Sequence, residues 1–259
     1  MSTPTPLLDL FKRGDAPHDA RLLAAQGLLA PRAHEQLAIL VLLLEDRDPE
    51  IRDVAEATLA RIPRAALEAF LARADVAIGL REFFADRGVF PAEIPAIEAD
   101  EPLVDAAARE QTADEPPGDG DRESAVQRLA NMGFTERLKA AMKGTREMRA
   151  ILIRDPNKMI AAAVLSSPKL SDSEVESFAR MASVSEDVLR IIGSNRSWMK
   201  NYGVVVGLTR NPKTPLAMSL NLMARLTDRD LGMLSVDRNV PETLRIAARK
   251  KVVAATSRH

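Results

Sequence analysis

Between His34 and Ile62 the apolar positions fall into two helical patterns joined by a polar turn. An unbroken apolar run, Leu37 to Leu44, lies between Gln36 and Glu45. A membrane-spanning helix needs about 20 such residues, so the run predicts a buried helix over Glu35–Glu45. The turn Asp46-Arg47-Asp48-Pro49-Glu50 follows. Beyond it, Ile51, Val54, Ala55, Thr58 and Leu59 stand at i, i+3, i+4, i+7 and i+8, one face of a second helix. Asp48 is placed to cap that helix, Pro49 suits its first turn, and Glu50 suits the positive end of its dipole. Flanking helices are expected near residues 18–30 and 65–87.

The second half reads as short helices broken at Asp155-Pro156, Ser167-Pro168, Ser194-Asn195, Asn211-Pro212 and Arg238-Asn239-Val240-Pro241. A shift of 56 positions superposes Pro156 on Pro212, Ala161 on Ala217, Leu170 on Leu226 and Asp172 on Asp228. Ser171-x-x-Glu174 is a capping box, and Thr227-x-x-Asp230 is its echo. Agreement at caps and core positions is what a structural repeat requires. At least seven helices and no strand are therefore expected over residues 123–259, with Leu170 and Leu226 buried equivalently.

Two strings carry a family likeness. Leu43-Leu44-Glu45-Asp46-Arg47-Asp48-Pro49-Glu50-Ile51-Arg52, with Ala55 and Leu59, resembles the HEAT-repeat consensus. Leu208-Thr209-Arg210-Asn211-Pro212-Lys213-Thr214-Pro215-Leu216 resembles the Asn-Pro-x-Thr-Pro unit of leucine-rich-repeat-variant proteins, which are bacterial solenoids of short helices. Together the resemblances imply an all-α, HEAT-like α-solenoid whose concave surfaces bind partners. The iron–sulfur region of the second family has no counterpart, because the chain has no cysteine.

Charge divides the chain further. Residues 1–90 are mildly acidic, whereas residues 91–122 hold ten acidic side chains against only Arg109 and Arg122. Pro91, Pro95, Pro102 and Pro116-Pro117-Gly118 punctuate this stretch, so too little apolar surface is available to offset ordering. The expected organisation is a helical domain over 1–90, a disordered acidic linker over 91–123 with a transient helix at Leu103–Gln111, and a basic helical-repeat domain over 124–259. The absence of cysteine suits a reducing cytoplasm. The first residues lack the basic and apolar regions of a signal peptide. A cytoplasmic protein without a membrane partner is expected.

Catalytic chemistry finds little support. His18, His34 and His259 are the only histidines, and no Walker, Rossmann, G-x-S-x-G or H-E-x-x-H pattern occurs. Asp46-Arg47-Asp48 and Asp228-Arg229-Asp230 read as caps rather than metal ligands, and no cofactor is expected. A helical-repeat glycosylase would use an acid such as Asp155 or Asp237 facing a basic groove. Trp198 and Tyr202, spaced i and i+4, are expected on the buried side of one helix, with Arg196 and Lys200 outside. Gly144 and Gly193 resemble helix stops. Lys139, Lys143 and Arg146 share a face only if their helix continues past Gly144. With Arg196, Lys200, Arg238, Arg245, Arg249 and Lys250 they form the candidate binding face. Two functional readings follow: a non-enzymatic scaffold holding a protein partner, and a module binding nucleic acid or another polyanion through the basic half.

Overall fold

The computed structural model describes residues 5–29, 32–93, 103 and 119–256, with the side chains of 119–124 and 255–256 outside that description. Among the described residues every regular element is helical and none is a strand. None of their helices is long and apolar enough to cross a membrane. By internal contacts the chain divides into two compact units. The first comprises residues 1–149 and 162–169; the second comprises 150–161 and 170–259.

The first unit opens with α1 (Pro6–Arg13), α2 (His18–Ala25), α3 (Ala33–Leu43) and α4 (Pro49–Ala60). The apolar run lies on α3, which is lined by α1, α2 and α4 and buries Leu37, Ile39, Leu40 and Leu43. The turn before α4 has the expected chemistry. Asp48 accepts from the Glu50 N–H at 3.0 Å, and Pro49 opens the helix. Asp46 accepts from the Asp48 N–H at 2.9 Å and pairs with Arg21 of α2. Arg52 donates back to the Asp46 carbonyl at 2.7 Å. These bonds close the turn on itself and on α2.

The helical stretch expected near 65–87 holds two helices, α5 (Arg64–Leu71) and α6 (Ile78–Ala85). Arg73 donates to the Asp75 carboxylate at 2.7 and 3.0 Å, and Val76 is buried in the turn between them. α7 (Asp119–Ala130) and α8 (Phe134–Lys143) follow, and α8 contacts α2. The change of charge near residue 123 and the division at 149/150 therefore do not coincide. Residues 119–123, assigned by composition to the linker, form the start of α7. The remainder of that stretch, apart from residues 91–93 and Leu103, lies outside the described residues, as does the transient helix expected beyond Leu103.

The division passes through α9 (Arg146–Leu152) and α10 (Lys158–Ser166). The second unit continues with α11 (Asp172–Arg180), α12 (Glu186–Ser194), a 3-10 turn (Trp198–Lys200), α13 (Tyr202–Arg210), α14 (Leu216–Leu222), a second 3-10 turn (Met223–Arg225), α15 (Asp228–Val236) and α16 (Glu242–Thr256). Helices begin at 146 and 202, at 172 and 228, and at 186 and 242, each pair 56 apart. Leu226 is buried and Leu170 is partly buried, and neither is exposed. α11 and α13 approach closely at Gly207, where an added Cβ would lie 3.1 Å from both Ala179 Cβ and Arg180 Cγ. Asn211, the asparagine of the Asn-Pro-x-Thr-Pro string, is buried and donates to the Ala179 and Met181 carbonyls at 2.9 and 3.0 Å. Its own oxygen accepts from the Lys213 N–H at 3.0 Å. One side chain thus closes the end of α11 and the turn after α13.

Candidate functional site

The nine cations singled out from the sequence are divided between the units. Lys139 and Lys143 lie on α8, and Arg146 opens α9. Gly144 ends α8 in extended conformation at ψ 177°, its N–H bonded to the Ala140 carbonyl. The helix therefore does not continue, and the three side chains do not share one helical face. Gly193 stands one residue before the last residue of its helix, not at the cap. It lies inside α12, where an added Cβ would meet Met218 Sδ at 2.5 Å, and the helix ends at Asn195.

In the second unit, Arg196 lies in the turn after α12, Lys200 in the 3-10 turn, Arg238 before α16, and Arg245, Arg249 and Lys250 on α16. Arg245 is half-buried, and Arg249 reaches the Ser235 carbonyl at 3.5 Å. All of the nine except Arg245 are exposed. None of the nine forms an ion pair among the described residues, whereas Arg180 and Arg190 each pair with a glutamate four residues earlier. Among the described residues, these nine cations have no carboxylate within ion-pair distance, while Lys158, Arg180, Arg190 and Arg210 do.

Trp198 and Tyr202 are not on one helix. Asn195 accepts from the Ser197 and Trp198 N–H groups at 2.9 and 3.3 Å, turning the chain into the 3-10 segment. Asn201 then caps α13 by accepting from the Gly203 N–H at 2.8 Å, and Tyr202 is the first helical residue. Trp198 is half-buried, while Tyr202 is 41% exposed. The Tyr202 hydroxyl accepts from the Thr227 N–H at 3.0 Å and donates to Asp230. Its role is to cap α15 from outside, which a stripe pattern cannot show. That hydrogen bond is the main reason the Asp230 carboxyl lies below the ordinary aspartate range.

The acids considered for chemistry are engaged in turns. Asp155 accepts from the Asn157 N–H at 2.8 Å. Asp237 accepts from the Asn239 N–H at 3.0 Å and from Arg210 Nε at 3.2 Å. No group of three or more metal-ligating side chains is found among the described residues. His18 bonds Asp48 at 3.1 Å, joining the start of α2 to the cap of α4. His34 is half-buried, and burial lowers its pKa. His259 lies outside the described residues.

Two buried side chains at the start of α3 escaped the sequence reading. Glu35 is 2% exposed; one carboxyl oxygen accepts from the Thr5 hydroxyl, and Oε2 has no partner. Burial raises its pKa from 4.5 to about 7. Gln36 is 1% exposed, donates to the Gly27 carbonyl at 3.1 Å, and accepts from the Leu103 N–H at 2.9 Å. The available signal was a polar pair leading directly into an eight-residue apolar run, which places both side chains one turn from the core. No family model, curated protein or solved structure matches this chain.

Proposed function

We propose that the chain is a non-enzymatic, cytoplasmic scaffold of HEAT-like, leucine-rich-repeat-variant type that holds a protein partner on stacked short helices. The recurrence of helix starts at an interval of 56 residues carries this reading. Packing between near neighbours in sequence supports it: α1 with α3, α2 with α3 and α4, α11 with α13, α13 with α14, and α15 with α16. Short units that bury their apolar faces mainly on neighbours form extended arrays, and such arrays present broad surfaces for binding. The caps and ion pairs fit the same reading, because they spend the polar side chains on turns.

The test is affinity capture by the tagged full chain from an extract of its native cells, with and without nuclease, after mild cross-linking. A protein retained in near-stoichiometric amount and indifferent to nuclease is the expected result. Retention that disappears with nuclease favours the second reading, polyanion binding. The observation behind that alternative is the set of nine cations without an ion-pair partner. Phosphate contacts would make such binding fall steeply with salt.

A further inference from the structure

The apolar cluster of the first unit extends beyond the helices that build it. Leu37 of α3, Phe70 and Leu71 of α5, and Leu80 and Phe84 of α6 are buried in it, and Leu103 packs against it from far along the chain. Leu103 is attached by more than its side chain, since its N–H donates to Gln36 Oε1 at 2.9 Å. The Gln36 amide is oriented, because its Nε2 donates to the Gly27 carbonyl at 3.1 Å. Gly27 has φ 77°, a conformation glycine adopts readily, so the fold sets the direction of that carbonyl. An amide held by its NH2 end presents its oxygen, and a fixed oxygen in an apolar wall selects a backbone N–H. A main-chain bond that sets register beside a pocket that takes a side chain is how proteins read extended peptides.

The chemistry around Leu103 suits such a seat. Pro102 has no N–H, so Leu103 carries the first donor after it. Glu98, Asp100, Glu101 and Asp105 surround a short Pro-Leu-Val apolar centre. We propose that Gln36 and the apolar cluster of α3, α5 and α6 form a recognition seat for an acidic peptide carrying a leucine, which Leu103 fills in this chain and a partner's segment of the same kind fills in trans. The inference rests on the scaffold reading and names the ligand class of one of its surfaces.

A segment tethered to its own seat acts at a millimolar-scale effective concentration. For a peptide with a Kd of about 0.1 mM, that competition weakens apparent binding on the order of tenfold. The probe is a fluorescein-labelled peptide with the sequence of residues 98–108, titrated by anisotropy with the full chain and with Leu103→Asp. The expected result is binding on the order of tenfold tighter to Leu103→Asp than to the parent. A peptide with its leucine replaced by aspartate should bind neither protein. Gln36→Leu, added to Leu103→Asp, should remove the binding by removing the backbone acceptor.

A folded Leu103→Asp that binds no tighter than the parent overturns the proposal and leaves Leu103 a local anchor. Equal binding of the leucine-free peptide also overturns it, reducing the contact to charge. Where Leu103→Asp loses the helical circular dichroism of the parent, Leu103→Ala takes its place. Peptide-induced amide-exchange protection of residues 33–43 is then read, and its absence overturns the proposal. Failure here with nuclease-indifferent capture intact removes only the seat. Failure of that capture removes the scaffold reading even if the peptide binds.

Discussion

α11 and α15 begin 56 residues apart and close their first turns with different parts. In α11 the Ser171 hydroxyl accepts from the Glu174 N–H at 3.4 Å, and the Glu174 carboxylate accepts from the Ser171 N–H at 3.0 Å. In α15 the Thr227 hydroxyl accepts from the Asp230 N–H at 3.3 Å, repeating the first half of the box. The second half differs. Asp230 is one methylene shorter than a glutamate, and the Thr227 N–H goes instead to the Tyr202 hydroxyl, which itself donates to Asp230. A box that is local in α11 has become tertiary in α15, tying that helix to α13. The start of α3 offers a third version. Glu35 also stands three residues after the N-cap, but Arg32 makes no side-chain capping bond, and the carboxyl turns instead to Thr5, the N-cap of α1. Glu35 and Glu174 are equally buried, at 2% and 3% exposure. They differ in how completely the oxygens are used.

The strongest way to break the comparison is to remove the side chains that anchor the two helices. Phe178 of α11 and Leu234 of α15 are 56 apart, and both are fully buried. Phe178→Ala should cost about 4 kcal/mol and Leu234→Ala about 3 kcal/mol, from lost transfer energy and the cavity left behind. Urea unfolding followed by circular dichroism measures both. A Leu234→Ala cost below about 1 kcal/mol would show that α15 frays independently of the core, and the equivalence would fail.

Glu35 sharpens the contrast with Glu174 through pH. Its folded pKa is raised from 4.5 to about 7, because burial disfavours the charged form. The folded state therefore holds the proton more tightly than the unfolded chain. Stability from this group is full below about pH 4.5 and is lost as pH rises toward 7. The full loss is about 3 kcal/mol, from roughly 1.4 kcal/mol per pKa unit. Glu35→Gln keeps an acceptor for Thr5 and cannot ionise. It should match the parent near pH 4.5 and exceed it in melting temperature at pH 8. Parallel pH profiles for the two proteins would rule out Glu35 as the source.

These comparisons also explain what the sequence revealed. The start of α4, the Ser171–Glu174 box and the end of α8 at Gly144 were legible because each is decided within four residues. The split between α5 and α6 was missed because the Arg73–Asp75 pair that holds the turn contains no glycine or proline to mark it. The Trp198–Tyr202 stripe failed for a nearby reason: two asparagines, Asn195 and Asn201, redirect the chain through side-chain bonds that apolar spacing does not register. Glu35 and Gln36 were the least legible. Their partners, Thr5 and Leu103, lie 30 and 67 residues away. The nine cations were found as residues, but their grouping was not, because helix ends rather than composition decide which way they project.

Tyr202→Phe tests the tertiary box directly. It keeps the ring and deletes the hydroxyl that serves Thr227 and Asp230, so a loss of about 1 kcal/mol is expected. The effect should vary with pH. Asp230 lies below its ordinary value chiefly because of this hydroxyl, so its contribution is present above about pH 3.8 and lost as pH falls through the folded pKa. In Tyr202→Phe the acid-side loss should begin at higher pH. An unchanged acid limb, measured by urea midpoint from pH 2 to 6, would separate Tyr202 from Asp230.

The smallest effect is the most discriminating. If Tyr202 supplies the reach that an aspartate lacks, lengthening Asp230 by one methylene should make the hydroxyl redundant. Asp230→Glu places a carboxylate where Glu174 has one, able to accept from the Thr227 N–H as Glu174 accepts from the Ser171 N–H at 3.0 Å. In the parent this substitution should be nearly neutral, because the Tyr202 hydroxyl already accepts that N–H. In the Tyr202→Phe background it should recover about 0.5 kcal/mol or more, the coupling expected between residues of one hydrogen-bond network. A double-mutant cycle from urea midpoints measures the difference. Additive effects would mean that Tyr202 and the residue at 230 act separately on α15, and that its resemblance to α11 ends at the threonine.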